Sequence, residues 1–177
     1  QAEGCLCEYI VMPGECCLRI KPTTTLEQGA ISEPFAIGFY AVQQSVRMRG
    51  ARIGILGAGP IGLSVLLAAK AHKAGKIYVT DRIEARMGAA LRAGANWTGN
   101  SDKQDVVGEI TAREPLLLDA VFECCGQQAA LDQAVNLLKP GGKLMLVGIP
   151  EVDRVSFAID TLRRRELCIQ NVRRQNE

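Results

Sequence analysis

Three glycines and one aspartate lie at spacings that could bind a diphosphate and a sugar. Gly57, Gly59 and Gly62 directly follow the short apolar run 52–56, and Asp81 stands 19 residues after Gly62. The first glycine permits a tight turn, the second lets a ligand approach the backbone, and the third lets a helix pack closely on a strand. A carboxylate at the later position can accept hydrogen bonds from both hydroxyls of a ribose. Together the four residues predict a dinucleotide-binding site.

The elements around the glycines would position them for this chemistry. An apolar strand is predicted before Gly57, and a helix is predicted over 60–73, beginning at Pro60. The unpaired N–H groups at the start of a helix, together with the positive end of its dipole, attract phosphate groups. Three glycines alone would more often make only a turn. The strand, the helix and the acid at the expected distance favour the dinucleotide.

Asp81 also indicates which dinucleotide the site would take. Its negative charge would repel the 2′-phosphate of NADP, and it therefore favours NAD. Arg82 and Arg86 leave NADP open, because an arginine can pair with a 2′-phosphate. The same side chain can also stack on adenine or lie along the diphosphate. We predict NAD as the cofactor.

Strand and helix patterns alternate from residue 52 onward. Strands are predicted at 52–57, 76–81, 94–97, 118–124, 143–148 and 166–172. Helices are predicted at 60–73, 83–92, 103–113, 127–138 and 159–164. Two of the strands are continuously apolar, as expected when helices cover both faces of a sheet. The pattern predicts an α/β fold with a doubly wound, parallel, six-stranded Rossmann sheet in the strand order 3-2-1-4-5-6.

The first part of the chain has a different pattern. Strands are predicted at 8–12 and 17–20. Thr25 and Gln28 have the spacing of a capping box, which predicts a short helical turn. A separate, longer helix is predicted over 35–47. We therefore expect these residues to differ in fold from the sheet that follows.

Composition and charge exclude several classes of protein. The chain has 177 residues, of which 47% are apolar, and its net charge of +2 is too small to argue for nucleic acid or a membrane surface. No apolar run is long enough to span a bilayer. The single histidine, His72, is expected on a helix surface, so catalysis by a Ser–His or Cys–His pair is not predicted.

Seven cysteines occur at spacings that suit neither a disulfide framework nor a zinc ribbon. We expect reduced, mostly buried thiols in a cytoplasmic protein. A metal site formed by Cys5, Cys7, Cys16 and Cys17 is a less favoured alternative.

Ligands of doubly wound sheets bind beyond the carboxyl ends of the strands. This rule adds three segments to the glycine turn and Asp81. They are Cys124-Cys125-Gly126, Val147-Gly148-Ile149-Pro150 and Val172-Arg173-Arg174. By themselves these turns could be plain connections, and only their place after predicted strands suggests contact with a cofactor.

Several motifs in their order along the chain resemble one family. They are Ser32-Glu33-Pro34-Phe35-Ala36-Ile37-Gly38, Gly57-Ala58-Gly59-Pro60-Ile61-Gly62, Val79-Thr80-Asp81, Ala93-Gly94-Ala95, Phe122-Glu123-Cys124-Cys125-Gly126, Leu138-Lys139-Pro140-Gly141-Gly142-Lys143-Leu144 and Val147-Gly148-Ile149. In this order and spacing the sequence resembles the medium-chain, zinc-dependent alcohol dehydrogenases, with most similarity to the sorbitol and threonine dehydrogenase branches. The resemblance covers essentially the whole chain.

The resemblance implies a domain organisation. Residues 1–37 would be the end of a GroES-like catalytic segment, and residues 38–177 would be the NAD-binding Rossmann domain. The first residues, from Gln1, read as the middle of a domain. We therefore expect this chain to be part of a longer protein.

The resemblance also implies contacts with the cofactor. Pro60 and Ile61 would lie at the phosphate turn, and Arg86 would lie near the adenosine end. Cys125 and Gly126 would form part of the cofactor turn. Residues beside the nicotinamide would be Val147, Gly148, Ile149, Val172, Arg173 and Arg174, the last of which could reach the substrate.

In this family a zinc ion polarises the substrate oxygen, so that an alkoxide can pass hydride to nicotinamide. The usual zinc ligands, a Cys and a His–Glu pair, would precede Gln1. Glu33 is the one zinc-site element implied here, either as a ligand or through water. Alternatively, Glu33 is a surface acid at the start of a helix. Glu33 and Arg174 are thus the candidate catalytic residues, and the chain alone is expected to be inactive.

The implied partners are an alcohol or polyol substrate and other copies of the chain, as a homodimer or homotetramer paired through the last strand. Three other functions stay open. They are a non-catalytic NAD-sensing module, a zinc-free quinone-type reductase and an S-adenosylmethionine-binding domain. The helix entry at Pro60 and the spacing of Asp81 favour a dinucleotide over the last of these.

Overall fold

Six parallel strands form one sheet in the computed structural model, which describes residues 6–173. The strands are β1 (Arg52–Leu56), β2 (Lys76–Asp81), β3 (Trp97–Asn100), β4 (Leu118–Glu123), β5 (Leu138–Leu146) and β6 (Cys168–Asn171). Their order across the sheet is β3-β2-β1-β4-β5-β6, and each neighbouring pair runs parallel. The predicted fold class and strand order are confirmed.

Helices connect the strands and cover both faces of the sheet. They are α1 (Leu26–Gln43), α2 (Pro60–Ala71), α3 (Glu84–Ala93), α4 (Val106–Arg113), α5 (Gln128–Leu137) and α6 (Ile159–Arg164). One buried cluster joins alternate residues of the central strands, such as Ile55 and Phe122, to residues of α2 such as Val65. A second cluster joins the opposite strand face, including Val121, to residues of α5 such as Leu131. Alternation along each strand thus builds a core on each side of the sheet.

The predicted strands differ from the observed ones by one or two residues at several ends, and the starts of β3 and β5 differ most. β3 begins at Trp97 rather than at residue 94, because the intervening residues end helix α3. Gly94 has a φ of 103°, and the N–H of Ala95 donates to the carbonyl of Ala90 at 3.0 Å, which is a left-handed helix cap. β5 begins at Leu138 rather than at residue 143, because Leu138 already pairs with β4 before a shift in register.

The chain forms two compact units that divide between Ser32 and Glu33. In the described part of the first unit there is a 3₁₀ turn, Gly14–Cys16, and the start of α1, but no strand. The strands predicted at 8–12 and 17–20 are therefore wrong. A strand needs a partner to satisfy its backbone groups, and the alternating residue pattern alone does not supply one.

Helix α1 is one continuous helix. Its capping box is confirmed, since the N–H of Gln28 donates to Thr25 Oγ1 at 3.2 Å and the N–H of Thr25 donates to Gln28 Oε1 at 3.1 Å. The prediction of a separate helix over 35–47 is wrong, because Pro34 lies inside α1, which ends at Gln43. Tertiary packing overrides the local signal here, since Gly38 in the second half of α1 lies against the backbone of α2.

The cysteines are more exposed than predicted. Among residues 6–173 only Cys124 is half-buried, and the exposed ones are Cys7, Cys16, Cys17, Cys125 and Cys168. The expectation of mostly buried thiols is wrong, because these residues lie in the first unit, in a turn or on the edge strand rather than in the core. Cys5 lies outside the described residues.

Within residues 6–173, no helix has the length and apolar character needed to cross a bilayer.

Candidate functional site

The glycine turn joins the end of β1 to the start of α2. Gly57 has a φ of 105°, a left-handed conformation that favours glycine, and a Cβ on Gly62 would lie 1.8 Å from the carbonyl oxygen of Gly57. The chain itself therefore requires these two glycines. Gly59 differs, because, apart from its chain neighbours, no heavy atom of residues 6–173 lies within 4 Å of the position that its Cβ would take. The space over Gly59 is open to a ligand.

The start of α2 offers donors to an anion. Gly59 is the N-cap and Pro60 is the first helical residue. Among residues 6–173, no backbone carbonyl accepts a hydrogen bond from the N–H groups of Gly59, Ile61 or Gly62. These groups stand at the positive end of the helix dipole, where a phosphate is stabilised.

Asp81 ends β2 beside this turn and is only 8% exposed. Its Oδ2 accepts a hydrogen bond from the N–H of Ala58 at 2.7 Å, and its Oδ1 accepts one from the N–H of Ile83 at 2.8 Å. Arg86 Nη1 lies 3.9 Å from Oδ2. Each carboxylate oxygen can accept a second bond. Asp81 thus supports the glycine turn, a role that sequence reasoning missed. Each of its carboxylate oxygens can still accept a hydrogen bond from a ligand.

A cavity of about 750 Å³ opens at the carboxyl ends of the strands. The predicted site residues that line it are Gly57, Asp81, Arg82, Arg86 and Cys125. Sequence reasoning missed its other polar side chains, which are Thr80, Ser101, Asp102, Gln127, Gln133 and Glu151. Placing β3 three residues too early hid two of them, because the carboxyl-edge rule selects the residues directly after a strand. A cavity of this size and lining is typical of a cofactor site.

The other predicted cofactor residues within 6–173 lie around this edge, and none of them is among the residues that line the cavity. The turns after β4 and β5 touch each other, since a Cβ on Gly126 would lie 2.2 Å from the carbonyl oxygen of Ile149. A Cβ on Gly148 would lie 2.4 Å from the nitrogen of Gly126. Val172 continues from β6 and donates its N–H to the carbonyl of Leu146 at 2.9 Å. Val147 precedes Gly148, Arg173 is exposed, and Arg174 lies outside the described residues.

Glu123 holds both turns together, and sequence reasoning gave it no role in the site. It ends β4 and is 2% exposed. Its Oε1 accepts hydrogen bonds from the N–H of Cys125 at 2.8 Å and of Gly126 at 2.6 Å. Its carbonyl accepts bonds from the N–H groups of Val147 and Gly148, both at 2.9 Å. A single buried residue therefore sets the positions of two turns at the edge of the sheet.

The two thiols after β4 are poor nucleophiles at neutral pH. Desolvation, a hydrogen bond to Glu123 and the charge of Glu123 raise the pKa of Cys125 to about 12. Burial and the same carboxylate raise the pKa of Cys124 well above its ordinary value. Both thiols stay protonated near pH 7, so a role for Cys125 in binding is favoured over one in covalent chemistry.

Arg82 lines the cavity next to Asp81 but points its charge at another acid. Its Nε donates to Asp102 Oδ2 at 2.7 Å. This hydrogen bond and the charge of Asp102 raise the pKa of the Arg82 guanidinium further. Asn100, at the end of β3, accepts from the N–H of Asp102 at 3.0 Å and donates to the carbonyl of Arg82 at 3.1 Å. The two charged residues are thus joined through both side chains and backbone.

The described residues do not fit a zinc ion. Within residues 6–173, no group of three or more His, Cys, Asp or Glu side chains could hold a metal. Glu33 is exposed and is not among the residues that line the cavity. It lies in the body of α1, so the alternative that it is an acid at the start of a helix is wrong. His72 ends α2, where its Nδ1 lies 2.9 Å from the carbonyl oxygen of Ala68. The residues of this range therefore do not form a zinc site by themselves.

Comparison with known proteins agrees with this geometry. The family model described as zinc-binding dehydrogenase matches residues 60–177, which include the start of α2 and most of the sheet. The chain belongs to the zinc-binding dehydrogenase family. The resemblance to medium-chain, zinc-dependent alcohol dehydrogenases is thereby confirmed.

The proteins to which the chain is similar include sorbitol and butanediol dehydrogenases. A sorbitol dehydrogenase of Bacillus subtilis (strain 168) is 34% identical over 171 residues, which are 96% of this chain and 48% of the relative. The structure of 2R,3R-butanediol dehydrogenase from Bacillus subtilis matches with a TM-score of 0.82 at 30% identity, over 90% of this chain and 46% of that one. An NADP-bound putative zinc-binding dehydrogenase from Sinorhizobium meliloti 1021 matches with a TM-score of 0.78 at 28% identity, over 83% and 44%. The chain spans about half the length of the relatives it matches.

Proposed function

We propose that this chain is the NAD(H)-binding part of a zinc-assisted alcohol or polyol dehydrogenase. The observation that carries the proposal is the open space over Gly59, next to backbone N–H groups of Ile61 and Gly62 without a partner among the described residues. Membership of the zinc-binding dehydrogenase family supports the same conclusion. Sorbitol and butanediol dehydrogenases among its relatives support an alcohol or polyol as the substrate.

The residues of this chain would hold NAD in three places. The N–H groups of the glycine turn would bind the diphosphate, and Asp81 would accept hydrogen bonds from the adenosine ribose. The turn over 147–149 would lie beside the nicotinamide, in the position that Glu123 maintains. When bound, NAD would supply the acceptor for a hydride from the alcohol.

The remaining parts of the proposal concern the whole protein. Residues 1–37 would complete a GroES-like catalytic segment, and residues 38–177 would form the NAD-binding domain. Glu33 and Arg174 would act only in the whole protein, where Glu33 would lie at the zinc and Arg174 would reach toward the substrate. The protein would act in the cytoplasm as a homodimer or homotetramer, since β6 is an edge strand that could pair with a second copy.

Isothermal titration calorimetry of the 177-residue chain with NAD tests the binding function. We expect weak but saturable binding of NAD and no response to S-adenosylmethionine. Absence of NAD binding, or binding of S-adenosylmethionine instead, would contradict the proposal.

The enzymatic part is tested on the longer protein that contains this chain. It should reduce NAD in the presence of a polyol and should lose this activity when zinc is removed by a chelator.

A further inference from the structure

We propose that Asp102 holds Arg82 away from the ribose end of the cavity and so makes the site select NAD against NADP. This inference rests on the proposed NAD-binding function. It assigns a role to a residue that lies 20 positions from its partner in sequence and that no motif marks.

Within residues 6–173, Arg82 is one of two arginines in the cavity that could accept a 2′-phosphate. It directly follows Asp81, and both residues line the cavity. A free guanidinium binds a phosphate through two parallel hydrogen bonds. In this structure Arg82 Nε instead donates to Asp102 Oδ2 at 2.7 Å. The guanidinium is therefore turned toward a carboxylate of the same wall.

The position of Asp102 is set by a buried residue. Asn100 is 5% exposed, and its side chain bonds both to the N–H of Asp102 and to the carbonyl of Arg82. The side chains of Arg82 and Asp102 are 73% and 51% exposed, so their ion pair contributes little to folding stability. The two side chains nevertheless stay opposite each other, because Asn100 bonds to the backbone of both Arg82 and Asp102.

Arg86 of the cavity and Lys103, which follows Asp102 in the chain, are also paired with acids. Lys103 Nζ lies 2.9 Å from Glu84 Oε1, and Asn100 Nδ2 donates to the same oxygen at 3.1 Å. Arg86 faces Asp81 at 3.9 Å. Lys103 and Arg86, like Arg82, thus already face an acid.

The charge of the cavity wall opposes an added phosphate. Among residues 6–173, three acids line it, namely Asp81, Asp102 and Glu151, against two bases, Arg82 and Arg86. A 2′-phosphate adds a charge of about −1.5 to −2 and would have to displace one of these acids from its base. NAD adds no charge at this position. The wall therefore discriminates between the two cofactors by electrostatics as well as by the orientation of Arg82.

The test compares NAD and NADP binding by calorimetry in the unmodified chain, in Asp102→Asn and in the double variant Asp102→Asn/Arg82→Gln. The unmodified chain should prefer NAD. Asp102→Asn should bind NADP about three- to tenfold more tightly, and its affinity for NAD should change by a smaller factor. The double variant should lose the gain in NADP affinity, because the gain requires a released Arg82.

A matched control removes the same charge elsewhere. Asp160 also pairs with arginines, at 3.0 Å from Arg163 Nη2 and 2.6 Å from Arg164 Nε, but lies on α6 and does not line the cavity. Asp160→Asn should leave the ratio of NAD to NADP affinity unchanged. A similar change in this control would mean that net charge alone sets the preference, and would overturn the role of Asp102.

The outcomes separate the two proposals. If the unmodified chain binds neither dinucleotide, both the function and this inference are overturned. If the unmodified chain binds NAD but Asp102→Asn has the same ratio of NAD to NADP affinity, only the inference about Asp102 is overturned. The inference also fails if the double variant keeps its gain in NADP affinity, or if the unmodified chain prefers NADP. Thermal unfolding of each variant shows that the comparison is made between folded proteins.

Discussion

The carboxylate of Asp81 accepts a hydrogen bond from the backbone N–H of Ala58 at 2.7 Å, and this bond joins the end of β2 to the glycine turn after β1. The acid expected to bind the ribose therefore also holds the turn expected to bind the diphosphate. Loss of this side chain would affect both the fold of the turn and its ligand. The two effects can be measured separately.

Asp81→Ala should weaken NAD binding by roughly 1–3 kcal/mol, because ribose hydroxyls would lose their acceptor. It should also lower the free energy of unfolding by roughly 1–3 kcal/mol, since the N–H of Ala58 would be left without a partner. Calorimetry and urea unfolding measure these two quantities. Asp81→Asn keeps one acceptor oxygen and serves as the control with a smaller loss of stability. An unchanged unfolding energy in the alanine variant would show that Asp81 does not support the turn.

Gly59→Ala and Gly62→Ala should separate ligand binding from folding. The first adds a methyl group into open space but places an alanine at the N-cap of α2, so the free energy of unfolding should fall by only about 0.5–1 kcal/mol, while NAD affinity falls about tenfold or more. The second places a Cβ against the carbonyl of Gly57 and should cost about 1–3 kcal/mol of stability. Thermal unfolding and NAD titration of both variants check this. A Gly59→Ala variant that binds NAD as well as the unmodified chain would remove the main support for the site.

Asp119 should stabilise the chain in a pH-dependent way. Burial raises the pKa of its carboxyl, but hydrogen bonds from Lys139 Nζ and the N–H of Arg52, with the charges of both residues, more than offset this and lower it below 3.8. A carboxyl with a lowered pKa in the folded state stabilises the protein above its unfolded pKa. This stabilisation is lost as the pH falls through the folded-state value.

Asp119→Asn should therefore reduce the free energy of unfolding by roughly 1 kcal/mol at pH 7, and the difference from the unmodified chain should shrink toward pH 3. Urea unfolding at several pH values measures it. Asp153→Asn, at an exposed acid in the loop after β5, is the control and should show no such trend. A difference that stays constant with pH would contradict the role of the Asp119 carboxylate.

Alkylation of Cys125 by iodoacetamide should be slow at pH 7 and should increase about tenfold per pH unit up to at least pH 10, because only the thiolate reacts. Because the pKa of Cys125 is raised to about 12, the alkylation rate should not level off between pH 7 and pH 10. Since Cys125 lines the cavity, saturating NAD should slow its alkylation, whereas Cys168 on the edge strand should be unaffected. Peptide mass spectrometry follows both residues. Equal protection of the two cysteines would indicate a general effect on the fold rather than occupation of the cavity.

Much of the architecture follows from local patterns. The spacing of Gly57, Gly59 and Gly62 places a turn between strand and helix, and alternating strand and helix patterns lead to a parallel doubly wound sheet. These features depend on residues close together in the chain, so the amino-acid sequence was sufficient to predict them. The strand order is confirmed for the same reason, because crossover connections of one hand leave few alternatives.

Local patterns failed where packing decided the outcome. Pro34 stays inside α1 although it lacks an N–H, and the residue pattern of a strand at 8–12 forms no strand. The start of β3 depends on how α3 ends at Gly94, which the apolar pattern alone did not show. At Pro34 and at β3 a neighbouring element or a cap outweighed the local preference, whereas residues 8–12 have no partner strand among residues 6–173.

The amino-acid sequence by itself thus determined the class of fold, the place of the glycine turn and the acid after the second strand, because short-range spacing encodes them. Only the tertiary structure decided that Asp81 bonds to Ala58, that Glu123 joins two turns and that Arg82 faces Asp102. Parallel strands bring their carboxyl ends to one edge of the sheet, so residues from separate segments meet there. Contacts of that kind arise from strand order and register, which no single segment contains.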